Sequence, residues 1–474
     1  MADKFLNRLP TIHLNSTAVV IILAKQDQSD RVQRMDINND RVEIRKQYGS
    51  IKRRKILLKS LIIGIFSGLM AVEFRLSLEY SESIRNLFLQ YAVSDDSTFP
   101  WISSVLFGIL IPAIIYLTGK IEPDSGGSGI PHLKGYLEGF NRFRGWRILL
   151  VKFVGGVVGI GSGLALGREG PTVQMGAAIG KIFGDYLTTN QTELKILISS
   201  GAGAGLAAAF NAPLAGVFFI LEELHKSFNQ TILVASFVSC IAADLICHLI
   251  IGDVPVFHVK ILNYPGTDSL PIVLIFGVFI SLLGMLFSKV LLISSFYVQN
   301  FSLAARMIFG LLVGVVLGGT GLIFPECLGM GTRLLSGILD NQYETGMVAL
   351  YFIFRFILTV TSYSTGAPGG IFFPMLLLGV LSGSFFGHYF HFAFPEIFDQ
   401  SVWVALGMAG FFASVVRAPI TGTILILEMT STYELLLPLM IVSIVAYSIP
   451  EYFSSKPIYD ALLQRDLVRR SLKA

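Results

Sequence analysis

The chain has 474 residues, of which 53% are hydrophobic and only 14% charged, with a formal net charge of +4. Soluble domains carry about 25% charged residues, so an ordinary soluble globule is excluded. Apolar runs recur from Leu57 to Pro450, and they are continuous and rich in Leu, Ile, Gly and Ala; this composition suits membrane-spanning helices and not the short alternating strands of a barrel.

Residues 1–55 hold twelve Lys or Arg against six Asp or Glu and end in Lys52, Arg53, Arg54 and Lys55. This basic bias predicts a cytoplasmic N-terminal segment. The early apolar stretch Ala18 to Ala24 is too short for a signal peptide and lacks a small-residue cleavage site, so the segment is expected to be retained. Residues 56–268 and 269–460 are read as two membrane halves, and 461–474 as a cytoplasmic tail carrying Arg465, Arg469, Arg470 and Lys473. With both termini on one side, the number of crossings should be even.

Glycine clusters cut several apolar runs below the ~20 residues that span a bilayer, which predicts broken or re-entrant helices. Irregular backbone at membrane depth is tolerated only where it is buried in protein or lines an aqueous path, so these clusters mark the candidate transport site. The first is Ser125-Gly126-Gly127-Ser128-Gly129-Ile130-Pro131. Ser128 either offers its hydroxyl to an anion or belongs to a Gly-Ser turn between helices. The second, Gly167-Arg168-Glu169-Gly170-Pro171, places a carboxylate inside a membrane break, where an ionisable group is functional by default. Seated among N–H groups that would hold an anion, Glu169 could occupy the anion site itself and leave when protonated, which makes it a gate linking anion movement to protons. Arg168 beside it offers the plainer reading of a salt bridge.

The chain repeats itself. Residues 201–222 align without gaps on 407–428, with eight of 22 positions identical, including Pro213 with Pro419 and Glu222 with Glu428. At a shift of 203, Gly167, Pro171, Gly176 and Gly180 match Gly370, Pro374, Gly379 and Gly383. Transporter repeats place substrate at their interface, with interrupted helices pointing N-termini at it. Gly167–Pro171 and Gly370–Pro374 suit that role, and two converging helix N-termini favour an anion over a cation. Glu222 and Glu428, being repeated, are read as capping or surface-pinning carboxylates. Glu223 stands opposite Met429 and suits an asymmetric task such as passing protons. Cys240, Cys247 and Cys327 fit neither a metal nor a disulfide pattern. The seven histidines show no zinc spacing, so no metal is assigned.

The motifs at 127–131, 167–171 and 370–374, with Ala207–Gly216 and the late Tyr459 after Lys456-Pro457, together resemble the CLC family of chloride channels and proton-coupled chloride transporters. The resemblance runs from about residue 55 to 465. It implies an all-α integral membrane protein of many short, tilted and re-entrant helices in two inverted-topology repeats, assembled as a homodimer with one pathway per subunit. It further implies that Ser128 and Tyr459 hydroxyls hold a central chloride together with the N–H groups of Ile371 and Phe372. The backbone of Arg168 and Gly170 would surround the outer site taken by Glu169. Glu223 matches the internal proton glutamate of the transporters, which favours a chloride/proton antiporter over a passive chloride channel of the same fold. No cofactor is implied, chloride being the substrate; the partners are chloride, protons, the bilayer and a second copy, with no nucleic acid.

Departures from the family pattern are informative. Phe373 is bulkier than the small residue often found there, and His132 and Lys134 stand where some bacterial relatives carry acids, so rate or proton entry should differ. Ser128 implies chloride over nitrate, and the intact Gly167–Pro171 motif argues against the fluoride branch. Fifteen residues follow Tyr459, too few for the paired regulatory domains of eukaryotic relatives, so the expected setting is a prokaryotic inner membrane. A serine-protease reading, with Ser128 as nucleophile and His248 as base, leaves Glu169 and the repeat unexplained.

Overall fold

A computed structural model describes residues 53–94, 99–188, 190–252, 269–393 and 400–471. The cytoplasmic segment expected over residues 1–55 lies almost wholly outside the described residues. Among the described residues the chain is helical, with no strand beyond two isolated bridges.

The first half contributes α1 (Arg53–Ser94), α2 (Phe99–Ile121), α3 (Ile130–Leu137), α4 (Gly145–Gly161), α5 (Glu169–Leu187), α6 (Gln191–Phe210), α7 (Pro213–Phe219) and α8 (Gln230–Ile251). The second contributes α9 (Leu270–Gln299), α10 (Leu303–Ile323), α11 (Thr332–Leu339), α12 (Thr345–Ser364), α13 (Phe372–Ala393), α14 (Gln400–Val416), α15 (Pro419–Thr430) and α16 (Leu436–Tyr452). The order of long and short helices is the same in both, including the matching 3₁₀ turns at Pro123–Ser125 and Pro325–Cys327. One helix has no counterpart, α17 (Ile458–Ser471).

Among the described residues eight helices are long and apolar enough to cross a membrane, and the chain is a multi-pass membrane protein. Their burial separates centre from periphery. The apolar window of α6 is 94% buried, whereas those of α8, α9 and α10 are 39% buried. Leu274, Ile275, Leu282 and Leu286 on α9 are exposed, as lipid-facing side chains must be.

Small residues explain how the central helices approach one another. A Cβ added at Gly176 on α5 would lie 2.1 Å from the Gly201 carbonyl oxygen on α6; one added at Gly379 on α13 would lie 2.3 Å from that of Gly407 on α14. The repeated glycines therefore mark the same backbone-to-backbone contact in each half.

The repeated glutamates bind the halves together. Glu222 accepts hydrogen bonds from the N–H groups of Ile420 (3.1 Å) and Thr421 (2.7 Å) at the start of α15. Glu428 accepts from Leu214 (3.0 Å) and Ala215 (2.8 Å) at the start of α7. Each half thus supplies the carboxylate that caps a proline-initiated helix of the other, satisfying donors that have no partner within their own helix. Both are capping residues, as their repetition suggested. Glu222→Ala and Glu428→Ala should each destabilise the protein by roughly 1–2 kcal/mol. Thermal unfolding in detergent checks this, and Glu223→Ala should not reproduce the effect through this cap.

Candidate anion and proton site

Three glycine-containing breaks, between α2 and α3, before α5, and between α12 and α13, meet near the middle of the chain fold. Gly167 and Gly370 exchange two backbone hydrogen bonds, of 2.7 and 2.8 Å. Gly127 N–H donates to Ala367 (3.2 Å), and Gly369 N–H donates to Gly127 (3.0 Å). Irregular backbone from both halves is thereby paired with itself, which removes the main objection to such loops at membrane depth. Gly127 and Gly129 adopt φ of +57° and +81°, a region costly for other residues.

Ser128 is buried at the N-terminus of α3, and its Oγ accepts from the Ile130 N–H at 3.4 Å. The Tyr363 hydroxyl on α12 sits against the same loop, 3.3 Å from where a Cβ on Gly127 would lie, a neighbour that sequence patterning did not single out. Gly170 packs on the same point: a Cβ there would lie 2.9 Å from Ser128 Cβ and 3.1 Å from Gly370 Cα. Ile371 and Phe372 are fully buried at the start of α13, and the Phe372 ring packs on Phe210, Phe219 and Phe412. Tyr459, at the start of α17, is 0% exposed, and its hydroxyl has no hydrogen-bond partner among the described residues. Such a group costs free energy unless a ligand satisfies it.

Glu169 is the first residue of α5 and is 1% exposed. Its carboxylate faces the Phe373 N–H at the start of α13. Arg168 does not neutralise it closely, since Nε lies 4.0 Å from Oε1 while another guanidinium nitrogen donates to the Ala209 carbonyl at 3.1 Å. Glu223 lies in the single π turn Ile220–Leu224, also buried. Tyr459 stands within electrostatic reach of both glutamates. By contrast, the structure pairs His248 with Asp244 on α8 at 3.3 Å and does not assemble it with Ser128 as a nucleophile and base.

A cavity of about 620 Å³ opens from Gly127, Ser128 and Tyr363 toward α17. Arg306, Lys456, Arg465, Arg469 and Arg470 line it against two acids, Asp124 and Asp466, a balance that concentrates anions. Asp124 adds little proton-binding capacity there. Burial pushes its carboxyl up, but the His132 hydrogen bond and Arg470 outweigh this and hold it at about 2.

Beneath the first loop is a cation that motif reading overlooked. Lys152 on α4 is 0% exposed and donates to the carbonyls of Ser125 (2.8 Å) and Gly127 (2.7 Å). In the second half Arg355 on α12 donates to Cys327 (2.8 Å), Gly329 (2.9 Å) and Met330 (3.0 Å). The two differ by the same 203 positions that relate Gly167 to Gly370, so the signal was available: one buried basic residue at equivalent places in two apolar helices. Each turns loop carbonyls toward itself and so away from the place where the helix N–H groups point.

The family described as voltage gated chloride channel matches residues 107–451. The chain belongs to the CLC family. It is 37% identical over 428 residues to the H(+)/Cl(-) exchange transporter ClcA of Vibrio cholerae, covering 88% of this chain and 91% of that one. The corresponding ClcA of Citrobacter koseri is 36% identical over 423 residues, covering 88% and 89%. Among solved structures, a slow cyanobacterial Cl-/H+ antiporter superposes with a TM-score of 0.84 at 32% identity, covering 88% of this chain and 99% of that one. A eukaryotic CLC transporter, at 22% identity and TM-score 0.74 over 87% and 74% of the two chains, shares the fold.

The support given by Lys152 is open to test. Lys152→Met keeps the side-chain length but donates nothing, leaving the Ser125 carbonyl unpaired and the Gly127 carbonyl with only the Gly369 N–H. Chloride affinity measured by calorimetry should fall about tenfold, equivalent to about 1.4 kcal/mol, and Lys152→Arg should retain most of it.

Proposed function

We propose that this protein is a secondary active transporter that exchanges chloride for protons. The observation that carries the reading is the burial of two carboxylates, Glu169 at a helix start beside the paired glycine breaks and Glu223 in the π turn, together with the buried, unpartnered Tyr459 hydroxyl. The exchange activity named for the 37% identical ClcA relative agrees with it.

In this mechanism the N–H groups at the starts of α5 and α13, with the hydroxyls of Ser128 and Tyr459, hold a dehydrated chloride. Ile371 and Phe372 supply backbone donors, and the backbone of Arg168 and Gly170 forms the outer position. Charge-assisted hydrogen bonds of this kind substitute for water around the anion. A carboxylate is itself an anion, so ionised Glu169 competes with chloride for the same donors. Protonated Glu169 is neutral and yields the place, which makes each chloride passage conditional on a proton. Glu223 exchanges protons with the opposite side by a route that chloride does not share.

The basic cavity beside α17 is the cytoplasmic entrance, in line with the excess of Arg and Lys on α17. The membrane is then the inner membrane of a prokaryote, with both termini cytoplasmic. We further propose a homodimer with one pathway in each subunit. The exposed apolar side chains of Leu214 on α7 and Ile420 on α15, side by side at the cross-capped helices, supply part of such an interface.

Reconstitution in liposomes tests the exchange. With a chloride gradient and the voltage clamped by a potassium ionophore, wild type should drive protons uphill. Glu223→Gln should abolish proton movement while chloride flux persists, and Glu169→Gln should uncouple the two as well. Chloride flux without proton movement in wild type would leave a passive channel.

A further inference from the structure

Glu223 is not isolated. Its Oε1 lies 2.8 Å from Lys134 Nζ on α3, and the two side chains are 2% and 1% exposed. Lys134 also pairs with Asp460 on α17, and the second oxygen of Asp460 pairs with Lys226. The four charges run from the interior to the surface in alternating sign: Glu223 and Lys134 are buried, Asp460 is 18% exposed and Lys226 is 53% exposed. They sum to zero. Lys134, Asp460 and Lys226 are also the charged groups that act on Glu223.

We propose that Lys134 is a positioning residue for the internal proton carrier, and that Asp460 is the counter-ion that lets Lys134 release Glu223. The proposal rests on the exchanger reading above. On accepting a proton, Glu223 becomes neutral and ceases to be a counter-ion of Lys134. A buried ammonium deprived of its only partner would be strongly destabilised, and breaking buried pairs typically costs several kcal/mol. Asp460 removes that cost. Lys134 passes from two carboxylates to one, so neutralisation of Glu223 never strands the cation. The reverse step needs Lys134 as well, because a buried carboxylate with no countercharge keeps its proton. Proton cycling at Glu223 therefore requires both partners.

The position of Asp460 makes this a link between the two pathways. It directly follows Tyr459, whose hydroxyl faces the anion site, and α17 is anchored by buried Ile458, Leu462 and Leu463. Burial pushes the Asp460 carboxyl up, but Lys134 and Lys226 outweigh it and hold the group below the ordinary carboxylate range. Asp460 thus stays charged through the cycle and available to Lys134.

The experiment compares proton and chloride fluxes of wild type, Lys134→Met, Lys134→Arg, Asp460→Asn and the Lys134→Met/Asp460→Asn double variant in the same liposomes. Lys134→Met should lower the proton-to-chloride ratio at least threefold while chloride flux stays within about twofold, and Lys134→Arg should restore the ratio. Asp460→Asn should shift the ratio the same way, and the double variant should be no worse than Lys134→Met, as expected of residues that act as a unit. An unchanged ratio in Lys134→Met and Asp460→Asn, with chloride flux intact, would overturn the proposal and leave Lys134 a structural cation. Equal loss of both fluxes in the milder Lys134→Arg and Asp460→Asn variants would also overturn it. Failure of the exchanger reading itself is distinguishable, because wild type would then move no protons.

Discussion

The two-way hydrogen bonding between Gly167 and Gly370 is the constraint on which the site depends. It joins the break before α5 to the break before α13, so the two helix starts cannot separate. Membrane interior offers no water to satisfy loose backbone, so each loop must find its partners in the other. Side chains at these positions would intervene: a Cβ on Gly370 would lie 2.9 Å from the Gly170 nitrogen. Glycine here is a requirement of close approach between two main chains. The same pairing, extended by Gly127 with Ala367 and Gly369, adds the loop that carries Ser128.

Around this junction several buried or half-buried charges have structural partners. Lys152 and Arg355 are bound by loop carbonyls, and Glu222 and Glu428 by N–H groups of the opposite half. A desolvated ion is tolerable when several good hydrogen bonds replace its water. These four residues therefore act as cross-links between segments that hydrophobic packing alone would leave free to slide. Glu169 is the exception. Arg168, its nearest cation, is committed elsewhere, and one of its carboxylate oxygens accepts no hydrogen bond. A group held so loosely can move, whereas the capping glutamates cannot.

That contrast divides the acidic residues by role. Glu222 and Glu223 are neighbours in sequence, yet the π turn at Ile220–Leu224 sends one to the start of α15 and the other to Lys134. A regular α-helix would separate them by about 100° in any case, but the extra residue in the turn alters which side of the helix each reaches. Lys134, a second buried charge beside Glu223, is accommodated because α17 brings Asp460 to it. The departure from acidic relatives at this position is thus compensated by a residue more than 300 positions later.

Membrane class, the duplicated architecture and the places where helices break were legible in the chain because each rests on local chemistry: hydropathy, internal repetition, and glycine clusters that interrupt apolar runs. Glu169 could be singled out for the same reason, as a carboxylate where none is cheap. The exchange of caps between Glu222 and Glu428 was half visible, since repetition implied a shared role but not that each would serve the other half. Lys152 and Arg355 left a periodic trace that went unread beside the stronger motifs. Tyr363 at the Ser128 loop, and Asp460 at Lys134, left no such trace, because these contacts join segments hundreds of residues apart and depend on how helices of the two halves and α17 are laid together. Composition and repetition can specify what each segment is able to bind. Which buried charge meets which partner is decided only when the helices pack, since desolvation makes every unpaired choice too costly to survive.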